Sequence, residues 1–315
     1  MDFTAFREAF LTSARQVIIL YIMVAVGFIC DKTGLFTEKT ARASNNLLFY
    51  VVTPCVIVES FLTTSLTDET AGWLLKAALG SVITHVVAIV ITLPFFRDKN
   101  DTLSGVFKFA SVYGNVGYMA LPLAGAVLGE TGIFLCSVGV AVFQLFCFTH
   151  GAFVMSRGGE KKSVDIKSML LNPGVLGIAV GLPCFLLKIK LPDVIMTPIS
   201  YLGDLNTPFA MVCLGTYMSQ AGLKTLISDK RQVLTVFIKL IALPAVMLAV
   251  MKLTGFLSGT LLTACLIQAA APCANNTVMF AAKYDRDTGT ASKTVALSSL
   301  LSMITMPVII ALCGD

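Results

Sequence analysis

The sequence predicts an all-α polytopic membrane protein, and three observations lead to that class. Of the 315 residues, 56% are hydrophobic and 13% are charged, whereas soluble domains carry about 25% charged residues. Apolar runs long enough to cross a bilayer recur along the chain, and its two halves share short motifs in the same order. Because lipid is then the solvent, we attribute the net charge of +5 to loops and not to nucleic-acid binding.

Ten apolar segments match the length of about 20 residues that a membrane-spanning helix requires. We number them as spans in chain order: 10–30, 43–65, 71–95, 104–128, 131–155, 171–189, 196–220, 232–253, 257–282 and 288–312. The longest polar stretch lies between spans 5 and 6. We therefore predict a first five-helix repeat at 1–155, a cytoplasmic linker at 156–170 and a second repeat at 171–315.

Lysine and arginine counts predict the orientation. The loops that join spans 1–2, 3–4, 5–6, 7–8 and 9–10 hold 16 of these residues, and the opposite side holds 6. Positive residues concentrate in cytoplasmic loops. Both termini are therefore predicted on the extracytoplasmic side of the cell membrane, although Arg7 and Arg15 run against this rule.

Three matched motifs indicate an internal repeat. At an offset of 154 residues, AVGFIC at 25–30 matches AVGLPC at 179–184, and Thr53-Pro54 matches Thr207-Pro208. At an offset of 157 residues, the ETG at 130–132 meets the DTG at 287–289. Each half holds five spans, and this odd number makes the second half enter the membrane from the opposite side. Inverted repeats of this kind are typical of secondary transporters.

Spans 4 and 9 carry helix-breaking residues at mid-depth. Span 4 contains VYGNVGYMALP at 112–122 and span 9 contains AAAPCANNTVMFAAK at 269–283. Irregular backbone is tolerated at that depth where it is buried in protein or lines a cavity. Ordinary kinks are the alternative, but paired breaks predict a substrate site where the two helices cross. The predicted substrate-binding residues are Gly114, Asn115, Gly117, Pro122, Pro272, Asn275, Asn276 and Thr277.

The predicted site favours an anion. Broken helices would point their positive N-terminal ends at the gap, and Asn115, Asn275 and Asn276 would add amide donors. No span has an arginine near its centre. We therefore expect a small organic anion, a mono- or dicarboxylate, as the substrate.

Further polar residues are candidates for coupling to H+ or Na+ or for lining a cavity. These are Glu59, Asp204, Asn206, His85, Gln144 and Gln268. Intramembrane carboxylates often relay protons or bind cations, but Glu59 could also reach water at the helix end. Asp204 and Asn206 could instead cap a helix. His85 and Lys239 could titrate, and His85, Gln144, Gln268 and Lys239 could instead be polar packing between helices.

The motifs NNLLFYVVTPCVIVESF, GNVGYMALPL, LLNPGVLGIAVGLP, NTPFAMVCLG and APCANNTVMFAAKYD, in this order, resemble the auxin efflux carrier family, which includes bacterial relatives of the plant PIN transporters. The resemblance implies a scaffold of spans 1, 2, 6 and 7, which could also form a homodimer. It implies a transport domain of spans 3–5 and 8–10, with spans 4 and 9 crossing. Asn115 and Pro122 match the plant motif, whereas the NNT at 275–277 departs from it. Bacterial members imply small organic acids such as malate and malonate as substrates, moved by an elevator-like mechanism.

An anion channel and a ligand-binding membrane sensor are the alternatives to a carrier. Paired broken helices also build pores, so the pattern is also compatible with a channel. An enzyme is not expected, because no GxSG or HExxH motif occurs and neither histidine has a metal-ligand partner at helical spacing. We predict no cofactor and no metal. Membrane lipid is expected to surround the protein.

Overall fold

The computed structural model describes residues 3–96, 102–156, 173–221, 226–227 and 229–313. Its helices are α1 (Phe3–Lys32), α2 (Glu38–Thr63), α3 (Asp68–Thr92), α4 (Thr102–Val112), α5 (Val116–Ser156), α6 (Pro173–Leu186), α7 (Asp193–Asp204), α8 (Asn206–Gln220), α9 (Lys230–Thr254), α10 (Gly259–Ala270), α11 (Asn276–Lys283) and α12 (Thr288–Ala311). The predicted linker at 156–170 lies outside the described residues except for Ser156, as do several of the loop cations that were counted for orientation.

The described helices fit a membrane. Six of them are long and apolar enough to cross a bilayer, namely α1, α2, α3, α5, α9 and α12, and shorter apolar helices lie at Leu103–Val112, Pro173–Leu186 and Gly259–Ala270. Large apolar side chains such as Val194 and Leu253 are more than four-fifths exposed, as expected for a surface that faces lipid. The prediction of an all-α, multi-pass membrane protein is confirmed.

Helix α5 reverses its direction at Gly129. This residue has φ +65° and ψ −153°, a conformation that essentially only glycine adopts. A Cβ on Gly125 would lie 3.0 Å from Ile133, although eight residues along a straight helix span about 12 Å. The segment is therefore two packed arms, 116–128 and 130–156, in agreement with the boundary predicted between spans 4 and 5.

Three prolines follow π-helical turns. Pro54, Pro122 and Pro244 each lie in the first turn after a five-residue turn, at Leu48–Val52, Val116–Ala120 and Ile238–Ala242 respectively. Proline lacks the N–H that continues an α-helix, and a π turn shifts the hydrogen bonds by one residue. The helices therefore pass each proline without ending.

Glycines bring two pairs of helices into close contact. Gly27 and Gly215 let α1 and α8 pack backbone against backbone. On α6, Gly177 packs against the backbone of Pro54 and Gly181 against the side chain of Phe61, both on α2. In lipid, small residues at a helix interface allow the close approach that stabilises packing. Separately, the second arm of α5 packs on α3 and α10.

Candidate functional site

Two helices are interrupted where they cross. Helix α4 ends at Val112 and α5 begins at Val116, while α10 ends at Ala270 and α11 begins at Asn276. The two connecting stretches run antiparallel and pair at Gly114 and Cys273. The Asn115 N–H donates to the Pro272 carbonyl at 2.7 Å, and the Ala274 N–H donates to the Tyr113 carbonyl at 2.9 Å. We call this pairing the crossover.

Backbone hydrogen bonds fix the position of Asn115. It lies in a tight turn in which the Val116 N–H donates to the Gly114 carbonyl at 2.9 Å. Its carbonyl accepts from Met119 and Ala120 at the start of α5. The side chain is 4% exposed, and its Nδ2 has no hydrogen-bond partner among the described residues. A buried amide donor without a partner is uncommon and costs about 1–3 kcal/mol.

The other half of the crossover is anchored through α12. The Cys273 N–H donates to Ser298 Oγ at 3.1 Å, and Pro272 needs no acceptor for its nitrogen because it has no N–H. On the opposite strand Gly114 is closely packed, since a Cβ there would lie 2.8 Å from Lys239 Nζ and 3.1 Å from the Ala271 carbonyl oxygen. Gly114 and Pro272, both predicted for the break, therefore permit this close crossing.

The three polar residues at the start of α11 have different surroundings. Asn275 caps the helix with its carbonyl, which accepts from Val278 at 3.0 Å and Met279 at 3.4 Å. The side chain of Asn276 approaches the Cys147 thiol at 3.8 Å. Thr277 is fully buried, and its Oγ1 has no partner in the described part of the chain.

A small cavity lies at the crossover, between the start of α5 and the start of α11. Its volume is about 30 Å³, enough for about two water molecules. We call it the crossover cavity; it is lined by Phe49, Thr53, Gly114, Asn115, Val116, Gly117, Tyr118, Val140, Phe143, Gln144, Ala274 and Asn276. The structure thus brings together Asn115, Gln144 and Asn276 from the predicted set.

Two larger vestibules open at opposite ends of α2. The Arg42 vestibule, of about 300 Å³, reaches Asn275 at the start of α11 and is lined by Glu38, Arg42 and Lys293 among others. The Glu59 vestibule, of about 540 Å³, reaches Pro122 on α5. Its lining includes the acidic residues Glu59, Glu130 and Asp204. The two vestibules therefore differ in the net charge of the residues that line them, which is positive in the first and negative in the second.

Asn206 connects α8 to the start of α5. Its Nδ2 donates to the Gly117 carbonyl at 3.0 Å. That carbonyl is available because Pro122, five residues on and just after the π turn, has no N–H to offer it. The sequence left open whether Asn206 faces a cavity or caps a helix; it lines the Glu59 vestibule and bonds to α5.

His85 and Gln268 lie away from the crossover cavity, in a separate pocket of about 10 Å³ on α3 and α10. His85 Nδ1 is 2.8 Å from the Ser81 carbonyl, and its ring stacks on Phe146 with centroids 5.0 Å apart. Gln268 donates to the Ala264 carbonyl at 3.2 Å and fills the space beside Gly139. Gly114 and Val116 line both this pocket and the crossover cavity.

Sequence reasoning gave too little weight to Lys239 and Thr53. The sequence leaves open whether Lys239 titrates or packs between helices, and the structure places its amine at the crossover itself. The signal was available, because a lysine in the middle of an apolar span is costly and usually functional. Thr53, which lines the crossover cavity, belongs to the repeated Thr-Pro motif that the sequence analysis identified.

Outside the membrane spans, two aspartates cap helices. Asp287 precedes α12 and accepts from the Thr290 N–H at 3.0 Å, and this bond holds the pKa of its carboxyl below the usual range. Asp229 precedes α9, and its bond with Arg231 lowers the pKa of its carboxyl in the same way. Both carboxylates are stabilising at the positive ends of helices.

Comparison with known proteins places this architecture among transporters. A family model described as a membrane transport protein matches residues 12–310, nearly the whole chain. An uncharacterized transporter of Methanocaldococcus jannaschii is 24% identical over 311 residues, which are 95% of this chain and 96% of that protein. A "putative malonate transporter" of Rhizobium meliloti is 24% identical over 277 residues, 83% of each chain.

Plant proteins match over a shorter stretch. The auxin efflux carrier component 3a of Oryza sativa subsp. japonica is 29% identical over 141 residues, which are 44% of this chain and 23% of that protein. The family and these relatives are transporters and not enzymes. The resemblance predicted from the motifs is confirmed, and the chain belongs to the membrane transport protein family, that of the auxin efflux carriers.

Proposed function

We propose that this chain is a secondary transporter of small organic anions, mono- or dicarboxylates, in the cell membrane, with its substrate site at the crossover. The observation that carries the proposal is that Asn115 and Asn276, from the two interrupted helices, line one small cavity. Asn115 Nδ2 is a donor without a partner among the described residues, and a carboxylate would supply the missing acceptor.

Helix electrostatics favour an anion at this place. The crossover cavity lies at the N-terminal ends of α5 and α11, and each such end carries roughly +0.5 of a charge. Gly117 N–H and Asn276 N–H, in the first turns of these helices, have no backbone acceptor among the described residues. The relative named for malonate is consistent with a carboxylate substrate.

The cavity is too small for a dicarboxylate, which supports a mechanism in which the surrounding helices move apart. We propose an elevator-like exchange between a scaffold of α1, α2 and α6–α8 and a transport domain of α3–α5 and α9–α12. Close glycine packing within the scaffold, at Gly27 and Gly215, supports its movement as one body. The Asn206–Gly117 bond joins the two groups and would break as they slide.

The same division gives ten spans in two inverted halves. In this arrangement α4 with the first arm of α5 is one crossing span, α10 with α11 is the other, and α7 with α8 is a single span. The antiparallel pairing of Gly114 with Cys273 supports the inverted relation. We further propose that both termini are extracytoplasmic, that the Arg42 vestibule is cytoplasmic, and that the scaffold forms a homodimer.

The vestibules support a path for substrate and for a coupling ion. Arg42 and Lys293 would attract an anion into the vestibule that leads to Asn275. A membrane potential of 100 mV, inside negative, contributes about 2.3 kcal/mol to the export of a monoanion. Import would require a cotransported cation. We propose that this cation is a proton and that Glu59, half-buried in the opposite vestibule, carries it.

The test is reconstitution of the protein into liposomes with a panel of labelled mono- and dicarboxylates, measured as counterflow with set pH, sodium and potential gradients. Saturable counterflow supports a carrier, whereas unsaturated flux without counterflow supports the alternative of an anion channel. Binding of a carboxylate without any flux would support the membrane sensor.

Variants of the two amides test the site. A hydrogen bond to a charged group contributes about 1.5–3 kcal/mol, so Asn115→Ala and Asn276→Ala should each lower kcat/KM about 10- to 150-fold. Asn115→Asp keeps the shape and replaces the donor by a negative charge, and it should be at least as impaired. Normal carboxylate flux in Asn115→Asp would contradict the proposed site. Acid-stimulated flux that survives in Glu59→Gln would remove Glu59 as the proton carrier.

A further inference from the structure

Lys239 lies at the crossover with its whole side chain buried. It belongs to the π turn Ile238–Ala242 of α9 and is 2% exposed. Its Nζ donates to the carbonyl of Ala269, in the last turn of α10, at 3.1 Å. A lysine is almost never fully buried unless it is paired. Within the described residues, no acidic side chain lines the pocket that holds it.

The Ala269 carbonyl that accepts from this amine belongs to one of two helix C-terminal ends at the crossover. Helices α4 and α10 both end at the crossover, at Val112 and Ala270. The last carbonyls of a helix lack intrahelical donors, and each C-terminal end carries roughly −0.5 of a charge. Ala271 adds a further carbonyl, which approaches Gly114 from the same side as Lys239 Nζ.

We propose that the Lys239 ammonium is a built-in cation of the crossover, which takes the place that a bound metal ion would otherwise fill. Two C-terminal helix ends carry about one negative charge in total, and one ammonium balances it. Unwound carbonyls and C-terminal ends of half-helices are the groups with which transporters coordinate Na+. Here the amine occupies that position, and the remaining space is about 10 Å³.

This arrangement has a consequence for the substrate. With the C-terminal ends balanced by Lys239, the N-terminal ends of α5 and α11 are left without a counter-charge on the other face of the crossover. The anion site therefore requires no Na+ bound at the crossover. This consequence for the substrate rests on the proposed function, whereas the presence of the internal cation is independent of any substrate.

The polar side chains that line the same pocket come from two neighbouring helices. Helix α3 contributes Ser81, Thr84 and His85, and α10 contributes Cys265 and Gln268. None of them carries a second fixed positive charge. Replacement of Lys239 by a short side chain would therefore leave the carbonyl ends exposed to one another in a buried, uncompensated pocket.

The test is thermal unfolding of the purified full chain in detergent, with no substrate present, in choline, potassium or sodium chloride and with added methylammonium. Wild-type protein should unfold at the same temperature in choline and in sodium. Lys239→Ala should unfold several degrees lower in choline and recover part of that loss when sodium or methylammonium enters the vacated position. Lys239→Met fills the space without a charge and should be destabilised without recovery. Lys252→Ala, on the exposed end of the same helix, is the matched control.

The proposal is overturned if the wild type is more stable in sodium than in choline. It is also overturned if Lys239→Ala is as stable as the wild type in every salt, or if it is destabilised equally in all of them. If Lys239→Ala does not fold, Lys239→Gln decides. Lys239→Gln supplies a neutral donor. If this variant unfolds at the wild-type temperature the proposal is overturned, and if it unfolds at a clearly lower temperature the proposal is supported. Failure of the wild type to move any carboxylate in liposomes would instead refute the proposed function, because the unfolding assay contains no substrate.

Discussion

Gly114→Ala tests the packing of the crossover. The added Cβ would lie 2.8 Å from Lys239 Nζ, 2.9 Å from its Cε and 3.1 Å from the Ala271 carbonyl oxygen. Ordinary contacts of a Cβ begin at 3.4 Å, so neighbours must retreat by about half an ångström. The lysine has only about 10 Å³ of free space beside it, and Ala271 contributes backbone. Overpacking of this kind costs about 1–3 kcal/mol.

Gly117→Ala is the matched control for stability. It lies three residues further along the same segment, and a Cβ there meets nothing within 4 Å. Glycine to alanine at a compatible helical position stabilises by about 0.4–1 kcal/mol, because the unfolded chain loses conformational freedom. The two substitutions therefore have opposite expected signs and differ by about 1.5–4 kcal/mol.

The assay is reversible unfolding of both variants in mixed micelles, followed by circular dichroism, with free energies taken from the denaturant midpoint. Gly114→Ala should unfold at lower denaturant than the wild type and Gly117→Ala at equal or higher denaturant. A Gly114→Ala protein as stable as Gly117→Ala would refute the close contact between the crossover and Lys239. Combined with Lys239→Ala, Gly114→Ala should cost less than it does in the wild type, and this coupling would identify the lysine as the clashing partner.

Three further predictions concern the scaffold and its contacts. Gly215→Ala places a Cβ on the carbonyl oxygen of Val24, so α1 and α8 must separate, and the free energy of unfolding should fall by about 2 kcal/mol or more; an unchanged value contradicts the backbone contact. Asn206→Asp turns the donor to Gly117 into an acceptor and should cost about 1–3 kcal/mol, measured in the same assay with Asn206→Gln for comparison. Asp287→Ala should cost about 1 kcal/mol at pH 7. Because the pKa of Asp287 is lowered in the folded protein, its contribution is present above the unfolded pKa of about 3.9 and is lost as pH falls through the folded pKa, so the stability gap should close in acid and a pH-independent gap would contradict it.

Much of the fold and the location of the candidate site follow from local sequence. Gly114, Asn115, Pro122 and Pro272 predict breaks because proline and glycine disfavour a regular helix whatever surrounds them. The boundary between the arms of α5 follows from the lengths of the apolar segments, and the chain turns there at Gly129.

The remaining features depend on tertiary contacts that a linear pattern does not contain. Asn275 and Asn276 are adjacent, yet they line different cavities because successive residues point about 100° apart on a helix. Which face of span 8 carries Lys239 toward the crossover is decided by the packing of α9 against α10, and no periodicity in an all-apolar span reveals it.

The crossover also constrains how the protein is made. The Asn115 N–H and the Pro272 carbonyl that it reaches are roughly 160 residues apart, so closing this loop has an entropic cost that only the finished chain can offset. Until the second half is synthesised and inserted, the gap in the first half exposes unpaired backbone groups to lipid, each at a cost of several kcal/mol. Residues 1–155 expressed alone should therefore be a target for membrane proteases, and co-expression with residues 171–315 should protect them.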